Sequence, residues 1–507
     1  MPDKEIEAVV EEVRKSHEPI EITAYINGEV RKTAKKNKKE NPAHPEETVG
    51  YFPENTVEDV KEAIDYAYEA YKTWSKTPLK ERKERLIKAK DNLEAQIPDL
   101  TVLMTREHGK AISDSENELV FAVTICNHIL KVIDEVMEDE VIMDSDKGKL
   151  IVIKQPMGVV GAISPWNYPI DLCINKIVPA IITGNTVVVK PSPLAPLTVS
   201  KVIEIIAKEM PAGVVNLVHG PTEVGEELTS NAKVSKIGFT GGTATAKHIM
   251  KAASGNIKNM TLELGGNDPA ILLEDADLSE ESITRLVIGT FLTSGQICMA
   301  AKRIYVHESI YDTFLDKYKK AANNWIKVGD GLDKGVTVGP LNNKDQKELV
   351  EELIEDARNQ GAEITKLGEI VDDEIFDKGY FLQPTLVTNI SQEARLVKEE
   401  QFGPTVPVIP FKDEEEGIKL ANDSIFGLSS SVWSKDPDNA TRVARQLEAG
   451  YTFINTHGIP GIDIRAPFGG VKQSGIGREY GKEGLLAYLE LHTISYPKSG
   501  AVPVTSF

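Results

Sequence analysis

Short apolar runs alternate with amphipathic helices through the middle of the chain, and this alternation constrains the fold more than any other feature. Five predicted strands recur roughly every 25 residues, at Val159–Ile163, Thr186–Val189, Val214–Val218, Ser235–Phe239 and Met260–Leu264. Strands that alternate with helices are typical of a parallel, doubly wound α/β sheet. Such sheets bind their ligands at the carboxyl ends of the strands, so we expect a site where these strands end.

A second α/β unit of comparable size follows residue 274. Its predicted strands include Arg303–Val306 and Val406–Phe411, again separated by helical segments. Proline has no amide hydrogen to donate to a neighbouring strand, so Pro407 and Pro410 favour an edge position for Val406–Phe411.

Composition and charge exclude several classes of protein. Of the 507 residues, 41% are hydrophobic and 27% are charged, which is ordinary for a globular protein. The net charge is −20, and so acidic a surface repels nucleic acid and anionic membranes, so we expect neither as a partner. No run of about 18 apolar residues predicts a membrane-spanning helix, and the charged segment Met1–Glu18 lacks the apolar core of a signal peptide.

Cysteine usage favours a reducing compartment. The chain has only three cysteines, too few for a disulfide framework, and no His/Cys cluster that predicts zinc. We therefore expect a cytoplasmic protein with no metal site.

Cys298 is the clearest candidate nucleophile. It ends the segment Ser294-Gly295-Gln296-Ile297-Cys298, which closely follows a predicted helix. A thiolate is the strongest side-chain nucleophile near neutral pH when its pKa is lowered. A buried structural role is the alternative, and it is favoured for Cys126 and Cys173. Cys173 follows Asn167 closely enough, however, to contact the same site.

Two polar residues at strand ends are candidates for acid–base or oxyanion chemistry. Glu263 lies between two leucines, where desolvation raises a carboxyl pKa toward that of a general base, but a strand-end carboxylate in solvent is equally consistent. Asn167 lies between Pro165 and Pro169, and a rigidly held amide can stabilise an oxyanion. Capping of the helix that follows is the alternative for Asn167.

Three further segments are candidates for cofactor binding. Lys190 ends a predicted strand, where a lysine suits ribose or phosphate oxygens, although a solvated surface lysine is the commoner case. Residues 219–225 and 239–245 are glycine-rich turns that open helices, and backbone amides at helix starts can hold phosphate. Neither turn has the GxGxxG pattern, so each taken alone favours an ordinary tight turn.

Taken in order, these segments resemble the motifs of the aldehyde dehydrogenase superfamily. The set is PWN at 165–167, KPS at 190–192, FTGG at 239–242, LELGG at 262–266, GQxC at 295–298, ExFGP at 400–404 and PFGGxKxSG at 467–475. The resemblance extends from about Ala24 to Tyr496, and so ordered a set does not arise by chance. It implies an α/β, aldehyde dehydrogenase-like fold with a variant Rossmann cofactor domain, an α/β catalytic domain and a β-arm for oligomerisation.

The resemblance also implies a role for each motif residue. Cys298 is expected to attack the aldehyde carbon. The Asn167 side chain and the Cys298 backbone N–H are expected to stabilise the oxyanion, and Glu263 is expected to activate the water that releases the acid from a thioester. Lys190 and Glu400 are expected to hold the adenine-side and nicotinamide-side riboses. The full set of expected cofactor contacts is Ile163, Trp166, Lys190, Gly225, Thr240, Gly241, Gly242, Leu264, Glu400 and Phe402.

The same resemblance divides the chain into domains. Residues 1–136 and 155–264 are expected to bind the cofactor, with 1–20 an N-terminal extension that forms a solvated helix. Residues 265–465 are expected to form the catalytic domain. The β-prone segments within 137–154 and 484–507 are expected to form an arm that joins subunits into a homodimer or homotetramer.

Three positions depart from the common pattern. Pro193 stands where NAD-preferring members often carry a glutamate that accepts from the ribose 2′-OH, so the cofactor is NAD or NADP. Asp171 lies where many members line the aldehyde tunnel with an apolar residue, and Arg465 lies in a segment that often contacts substrate. Arg465 could grip the carboxylate of a semialdehyde, but we favour structural ion pairs of Asp171 and Arg465 with each other or with neighbours. Small and aromatic aldehydes stay open.

The leading hypothesis is a hydrolytic, NAD(P)-dependent aldehyde dehydrogenase that acts on a small-molecule aldehyde. A CoA-acylating aldehyde dehydrogenase is the alternative enzyme, but transfer of an acyl group to a thiol needs no activated water and hence no Glu263. A non-catalytic, dehydrogenase-like binding or structural protein is the third hypothesis. The joint presence of Cys298, Glu263 and Asn167 argues against it.

Overall fold

A computed structural model of the protein describes residues 2–16, 18–146 and 148–498. The strands are β1 (Ile20–Glu21), β2 (Ala24–Ile26), β3 (Glu29–Arg31), β4 (Lys36–Glu40), β5 (Thr48–Pro53), β6 (Glu140–Ser145), β7 (Gly148–Pro156), β8 (Val159–Ile163), β9 (Thr186–Lys190), β10 (Val215–Leu217), β11 (Val234–Thr240), β12 (Asn259–Glu263), β13 (Asp268–Leu272), β14 (Ala301–His307), β15 (Lys327–Val328), β16 (Glu363–Lys366), β17 (Glu369–Ile370), β18 (Thr385–Thr388), β19 (Thr405–Phe411), β20 (Phe426–Gly427), β21 (Ser429–Trp433), β22 (Tyr451–Ile454), β23 (Val471–Lys472), β24 (Gly475–Ile476) and β25 (Leu489–Pro497). The α-helices are α1 (Pro2–Ser16), α2 (Val57–Trp74), α3 (Leu79–Glu94), α4 (Ile97–His108), α5 (Ile112–Met137), α6 (Pro169–Ile182), α7 (Leu197–Glu209), α8 (Thr222–Ser230), α9 (Thr243–Ala253), α10 (Glu280–Phe291), α11 (Tyr311–Trp325), α12 (Lys344–Asn359), α13 (Asp373–Lys378), α14 (Arg395–Lys398), α15 (Glu414–Asn422), α16 (Pro437–Ala444) and α17 (Gly481–Leu486).

The first sheet has eight strands in the order β24-β12-β11-β8-β9-β10-β2-β3. Its five central strands are parallel and are the five that the alternation predicts. Successive side chains of a strand face opposite sides of a sheet, and Val188 and Val189 of β9 accordingly enter different cores. Helices α2, α8 and α9 cover one face and α3, α5, α6 and α7 the other, which confirms a doubly wound sheet.

The second sheet has seven strands in the order β16-β18-β19-β14-β13-β21-β22. The edge position predicted from Pro407 and Pro410 is wrong, because β19 lies inside this sheet. Strand β18 pairs with residues 405–407 of β19 and β14 pairs with residues 408–411, so each proline lies at the end or beyond the end of one ladder. The two ladders share no residue of β19, and this stagger accommodates prolines in an interior strand.

The chain passes from the first sheet to the second between β12 and β13, through residues 264–267. Strand β13 is buried and pairs with β14 and β21, yet the sequence analysis did not predict it. The sequence pattern does not indicate the change of sheet, because the connection through Gly265 and Gly266 is short and no helix separates the two strands. Glu263 therefore lies at the junction of the two sheets.

A separate three-stranded antiparallel sheet, in the order β25-β7-β6, contains the segments predicted to form an arm. Strand β25 pairs with β7 from Leu489 to Pro497, and its outer side chains are exposed, among them Leu491 and Tyr496. The last nine residues of the predicted arm, 499–507, lie outside the described residues. The domain boundaries given above stay a prediction.

The N-terminal extension is a helix that packs on the protein rather than a wholly solvated one. Ile6 of α1 is buried, and α1 contacts α4. Arg14 Nη2 lies 2.5 Å from Asp333 Oδ1 of the second unit. Residues 1 and 17 of this predicted segment lie outside the described residues. Among the helices described, none combines the length and apolar character required to cross a membrane.

Candidate active site

A cavity of about 490 Å³ opens at the carboxyl ends of β8, β9, β11 and β12. It brings together twelve of the residues that the sequence singles out: Ile163, Trp166, Asn167, Lys190, Pro193, Thr240, Gly241, Gly242, Leu264, Cys298, Glu400 and Phe402. Gly225 is the one expected cofactor residue that does not line it. Gly225 lies instead on α8, where its Cα faces the methylene groups of Lys190. The sheet therefore forms its crevice where parallel α/β sheets bind ligands.

Cys298 is partly buried in the loop between α10 and β14 and lines this cavity. Burial raises the pKa of its thiol to about 12; Lys302 opposes this shift, and the charges of Glu400, Asp268 and Glu263 contribute to it. The lowered pKa considered in the sequence analysis is therefore not present in this state. The resting thiol carries its proton, and attack on an aldehyde requires that the proton leave.

A strained turn precedes Cys298. Thr293, Ser294 and Gly295 have φ values of 51°, 58° and 70°, a conformation that a β-branched residue such as threonine rarely adopts. The Asp114 carboxylate holds the turn by accepting from the Thr293 N–H and hydroxyl at 3.2 Å each. Strain held in place by surrounding bonds is frequent at functional sites.

Asn167 lies on the turn between β8 and α6 and faces the Cys298 loop. Its Nδ2 donates to the Gln296 carbonyl oxygen at 3.0 Å, and its own backbone oxygen accepts from Lys110 Nζ at 2.8 Å. The capping alternative is wrong, because the first amides of α6 donate instead to Glu118 Oε1. The amide of Asn167 is thus held beside the nucleophile loop.

Glu263 ends β12 and is 4% exposed, so the solvent-exposed alternative is wrong. Neither carboxylate oxygen has a hydrogen-bond partner among the described residues, and Glu263 itself does not line the cavity, although the next residue, Leu264, does. Burial raises the pKa of Glu263 well above its usual range, the Glu479 charge adds to this shift, and Lys176 and Arg478 oppose it. A Cβ on Gly469 would lie 2.6 Å from Glu263 Oε1, so only glycine leaves room for this carboxyl group.

A buried ion pair lies close to Glu263. Lys176 Nζ contacts Glu479 Oε1 at 2.9 Å and donates to the Thr240 hydroxyl at 2.6 Å. Thr240 is itself part of the cavity wall, so a chain of polar groups connects the wall to the interior.

The remaining wall residues fit a dinucleotide. Lys190 ends β9, and the space where a Cβ of Gly242 would lie is open, which leaves backbone approach to a phosphate free. Glu400 Oε1 accepts from the Gly266 N–H at 3.0 Å and lies 3.3 Å from Lys302 Nζ. Trp166 and Phe402 meet edge to face with ring centroids 5.4 Å apart. The volume is also within the range of cofactor sites.

Asp171 and Arg465 do not meet. Asp171 is buried and accepts from the Tyr480 hydroxyl at 3.1 Å, and burial raises the pKa of Asp171 to about 8. Arg465 is exposed and forms a bidentate pair with Asp463. Arg465 thus has an ion pair with a neighbour, as predicted, and it does not line the cavity. Asp171 has a hydrogen bond to Tyr480 but no ion pair among the described residues.

Sequence reasoning missed several charged groups of this region, notably Lys110, Asp114 and Glu118. The signal was present, because Asp114 and Glu118 stand one turn apart on the same stripe of α5 as buried apolar residues. A carboxylate on a buried stripe requires partners, and these partners are the loops of the site. In the described part of the chain, no three His, Cys, Asp or Glu side chains are grouped to hold a metal.

Comparisons with known proteins agree with this geometry. The model of the aldehyde dehydrogenase family matches residues 30–494. The glutarate-semialdehyde dehydrogenase of Pseudomonas putida is 37% identical over 92% of this chain and 96% of its own length. The NADP(+) succinate-semialdehyde dehydrogenase of Escherichia coli is 38% identical over 89% and 92%. A crystal structure of betaine aldehyde dehydrogenase from Staphylococcus aureus with NAD+ superposes with a TM-score of 0.89, at 36% identity over 96% of each chain.

The chain therefore belongs to the aldehyde dehydrogenase family. It is an NAD(P)-dependent enzyme that oxidises an aldehyde to a carboxylic acid.

Proposed function

We propose that Cys298, Asn167 and Glu263 carry this reaction. The observation that supports the proposal is their convergence. Cys298 and Asn167 line one cavity, and Glu263 immediately precedes Leu264 of the cavity wall. The Glu263 carboxyl group has no hydrogen-bond partner among the described residues. These groups come from two loops and from the end of strand β12.

In the proposed reaction, the Cys298 sulfur releases its proton to solvent and attacks the aldehyde carbon. The Asn167 Nδ2 and the Cys298 backbone N–H donate to the oxyanion of the thiohemiacetal. A nicotinamide held in the cavity would supply the hydride acceptor, and loss of hydride from this carbon would leave a thioester on Cys298. Glu263 then takes a proton from water, the hydroxide adds to the thioester carbon, and the acid leaves as the thiol is restored.

For the cofactor we propose contacts with the ten residues expected from the sequence. Lys190 and Glu400 would hold the two riboses, and Gly241 and Gly242 would approach a phosphate. Gly225 would act indirectly, since it packs against the Lys190 side chain. Pro193 in the wall supports the use of NADP as well as NAD, because it places no carboxylate three residues after Lys190.

We favour hydrolysis over transfer to CoA. Burial of a carboxyl group costs stability when it has no hydrogen-bond partner, and none of the described residues offers one to Glu263. Activation of water by this carboxyl group would account for the retention of a costly residue here. An acyl transfer to a thiol would not require it. Addition of CoA to a working assay should therefore leave the carboxylic acid as the product.

For the substrate we propose an uncharged or apolar acyl group rather than a carboxylate. Cys298 packs against a core cluster that contains a row of aromatic residues. The rings of Phe121, Tyr480, Phe468 and Tyr451 lie in successive contact, at centroid distances of 6.0 to 6.4 Å. Arg465, the cation considered for a carboxylate clamp, is occupied by Asp463 at the surface.

Replacement of Cys298 by alanine tests the catalytic assignment. The variant should lose NAD(P)H production by on the order of 10³-fold or more, and mass spectrometry of the wild type should find the trapped acyl group on Cys298. Cys173→Ala is the matched control, since Cys173 is a buried cysteine of α6 and should leave turnover intact. Full activity of C298A would refute the assignment of the nucleophile.

We further propose a homodimer or a homotetramer built through the arm of β6, β7 and β25, and a cytoplasmic location. The assembly through the arm is supported by exposed apolar side chains on it, including Val141, Leu491 and Tyr496. The three free cysteines support the cytoplasmic location, because thiols persist in reducing compartments. Light scattering of the protein with and without L491D would test the arm.

A further inference from the structure

Helix α5 contacts both loops that carry the proposed oxyanion donors. From one turn of this helix, Glu118 Oε1 accepts from the Ile170 N–H at 2.7 Å and from the Asp171 N–H at 3.2 Å. From the preceding turn, Asp114 accepts from the backbone of Thr293. The helix thus bonds to the Asn167 turn on one side and to the Cys298 turn on the other.

Lys110, just before α5, completes the connection to Asn167. Its ammonium group is fully buried and donates to Glu118 Oε2 at 2.6 Å and to the Asn167 carbonyl oxygen at 2.8 Å. It also lies 4.1 Å from the centre of the Tyr168 ring. Lys110 therefore contacts the peptide group of Asn167 itself, two residues before the start of α6.

These bonds fix the direction of the Asn167 side chain from both ends. The backbone oxygen of Asn167 is held by Lys110, and the side-chain Nδ2 is held by Gln296, two residues before Cys298. A peptide whose carbonyl oxygen is pinned by an ion pair cannot rotate freely, so the amide keeps one orientation relative to the sulfur. Misplacement of a catalytic group by about 1 Å can cost about 100-fold in rate.

We propose that Lys110, braced by Glu118, is a positioning residue for the oxyanion amide of Asn167. This inference rests on the proposed function, in which the Asn167 side chain binds the oxyanion. It assigns to Lys110 an effect on the rate of thiohemiacetal formation in addition to any effect on stability.

The test is a double-mutant cycle between Lys110→Met and Asn167→Ala. Lys110→Met keeps the length of the side chain and removes the ammonium group, and we expect kcat to fall by about 10- to 100-fold with little change in KM. If Lys110 acts through the amide, the double variant should be no slower than Asn167→Ala alone. The alkylation rate of Cys298 by iodoacetamide should stay within about twofold of the wild type, because alkylation forms no oxyanion.

Two further variants keep the test decisive. Lys110→Met leaves the Glu118 carboxylate buried without its cation, so K110M/E118Q, which removes both charges, replaces it if the single variant does not fold. Lys258→Met is the matched control, since Lys258 is also buried and donates to two backbone oxygens, those of Asn231 and Val234, at 2.5 and 2.8 Å. It should lower the melting temperature without changing kcat.

Two results would overturn the proposal for Lys110: rate losses that multiply in the double variant, or a lowered melting temperature with an unchanged kcat. A normal kcat in Asn167→Ala would overturn the oxyanion role of Asn167 and this inference with it. Failure of iodoacetamide to inactivate the enzyme would instead contradict the assignment of Cys298. An error in the role of Lys110 and an error in the role of Cys298 would therefore be detected in different assays.

Discussion

Replacement of Glu263 by glutamine separates the two halves of the reaction. Glutamine has the size of glutamic acid, and neither oxygen of Glu263 has a hydrogen-bond partner among the described residues, so the substitution removes no contact that supports the fold. We therefore expect a change of at most about 1 kcal/mol in stability. The loss should fall on the step that needs a base, which is hydrolysis of the thioester.

The size of the effect follows from the order of the steps. Hydride transfer precedes hydrolysis, so the first turnover needs no base on water, and rapid mixing should show a burst of about one NAD(P)H per Cys298. The steady rate after the burst should fall by about 10²- to 10⁴-fold, or about 3 to 5 kcal/mol of transition-state stabilisation. In the wild type, the steady rate should rise with pH, because burial raises the pKa of Glu263 and the base must be unprotonated; E263Q should lose this dependence.

Glu107→Gln is the matched control for a buried glutamate. Glu107 is buried and accepts from the Thr198 N–H and hydroxyl at 2.9 and 2.7 Å, far along the chain from the nucleophile. It should alter the melting temperature and leave the ratio of burst to steady rate unchanged. A normal steady rate in E263Q would refute the role of Glu263 as base, and loss of the burst as well would show that the substitution damages the acylation step.

Three other predictions concern specificity and pH. Arg465→Ala should leave kcat/KM unchanged for a neutral aldehyde and for succinic semialdehyde, because Arg465 is exposed and paired with Asp463; a selective loss for the semialdehyde would contradict this. Pro193→Glu should raise the KM for NADP by about tenfold, or ~1.4 kcal/mol, through repulsion of the 2′-phosphate, with the KM for NAD as the control. Asp171→Asn should gain thermal stability relative to the wild type as pH rises from 5 to 7, by up to about 1.4 kcal/mol per pH unit. The sign follows because burial raises the pKa of Asp171 from 3.8 to about 8. The stability of the wild type is therefore highest, with respect to this group, below pH 4 and falls as pH rises toward 8. A difference between the two melting temperatures that does not change with pH would refute the prediction.

The strand–helix alternation predicts the first sheet well because hydrophobic periodicity depends on neighbours in sequence. All five predicted strands appear as the parallel centre of that sheet. Strand β13 was not predicted because its separation from β12 depends on which sheet each strand joins, and this is a property of the tertiary fold. The position of β19 was wrong for the same reason, since the stagger of its two neighbours determines where a proline is tolerated.

The motifs predict which residues gather at the cavity but not how each is held. The convergence of Cys298 and Asn167 on one cavity agrees with the order of the motifs. The raised pKa of the Cys298 thiol arises from burial and from carboxylates distant in sequence, which no local pattern reveals. The contact between Lys110 and Asn167 likewise joins residues 57 positions apart.

The arm of β6, β7 and β25 has a consequence for how the protein reaches its native state. Strand β25 ends the three-stranded sheet with an unpaired edge, and apolar side chains such as Leu491 project from it. An uncovered edge of this kind is a template for pairing with any extended segment. A newly folded subunit therefore faces a kinetic competition between docking and aggregation, and we expect the yield of refolding to depend on protein concentration through this strand.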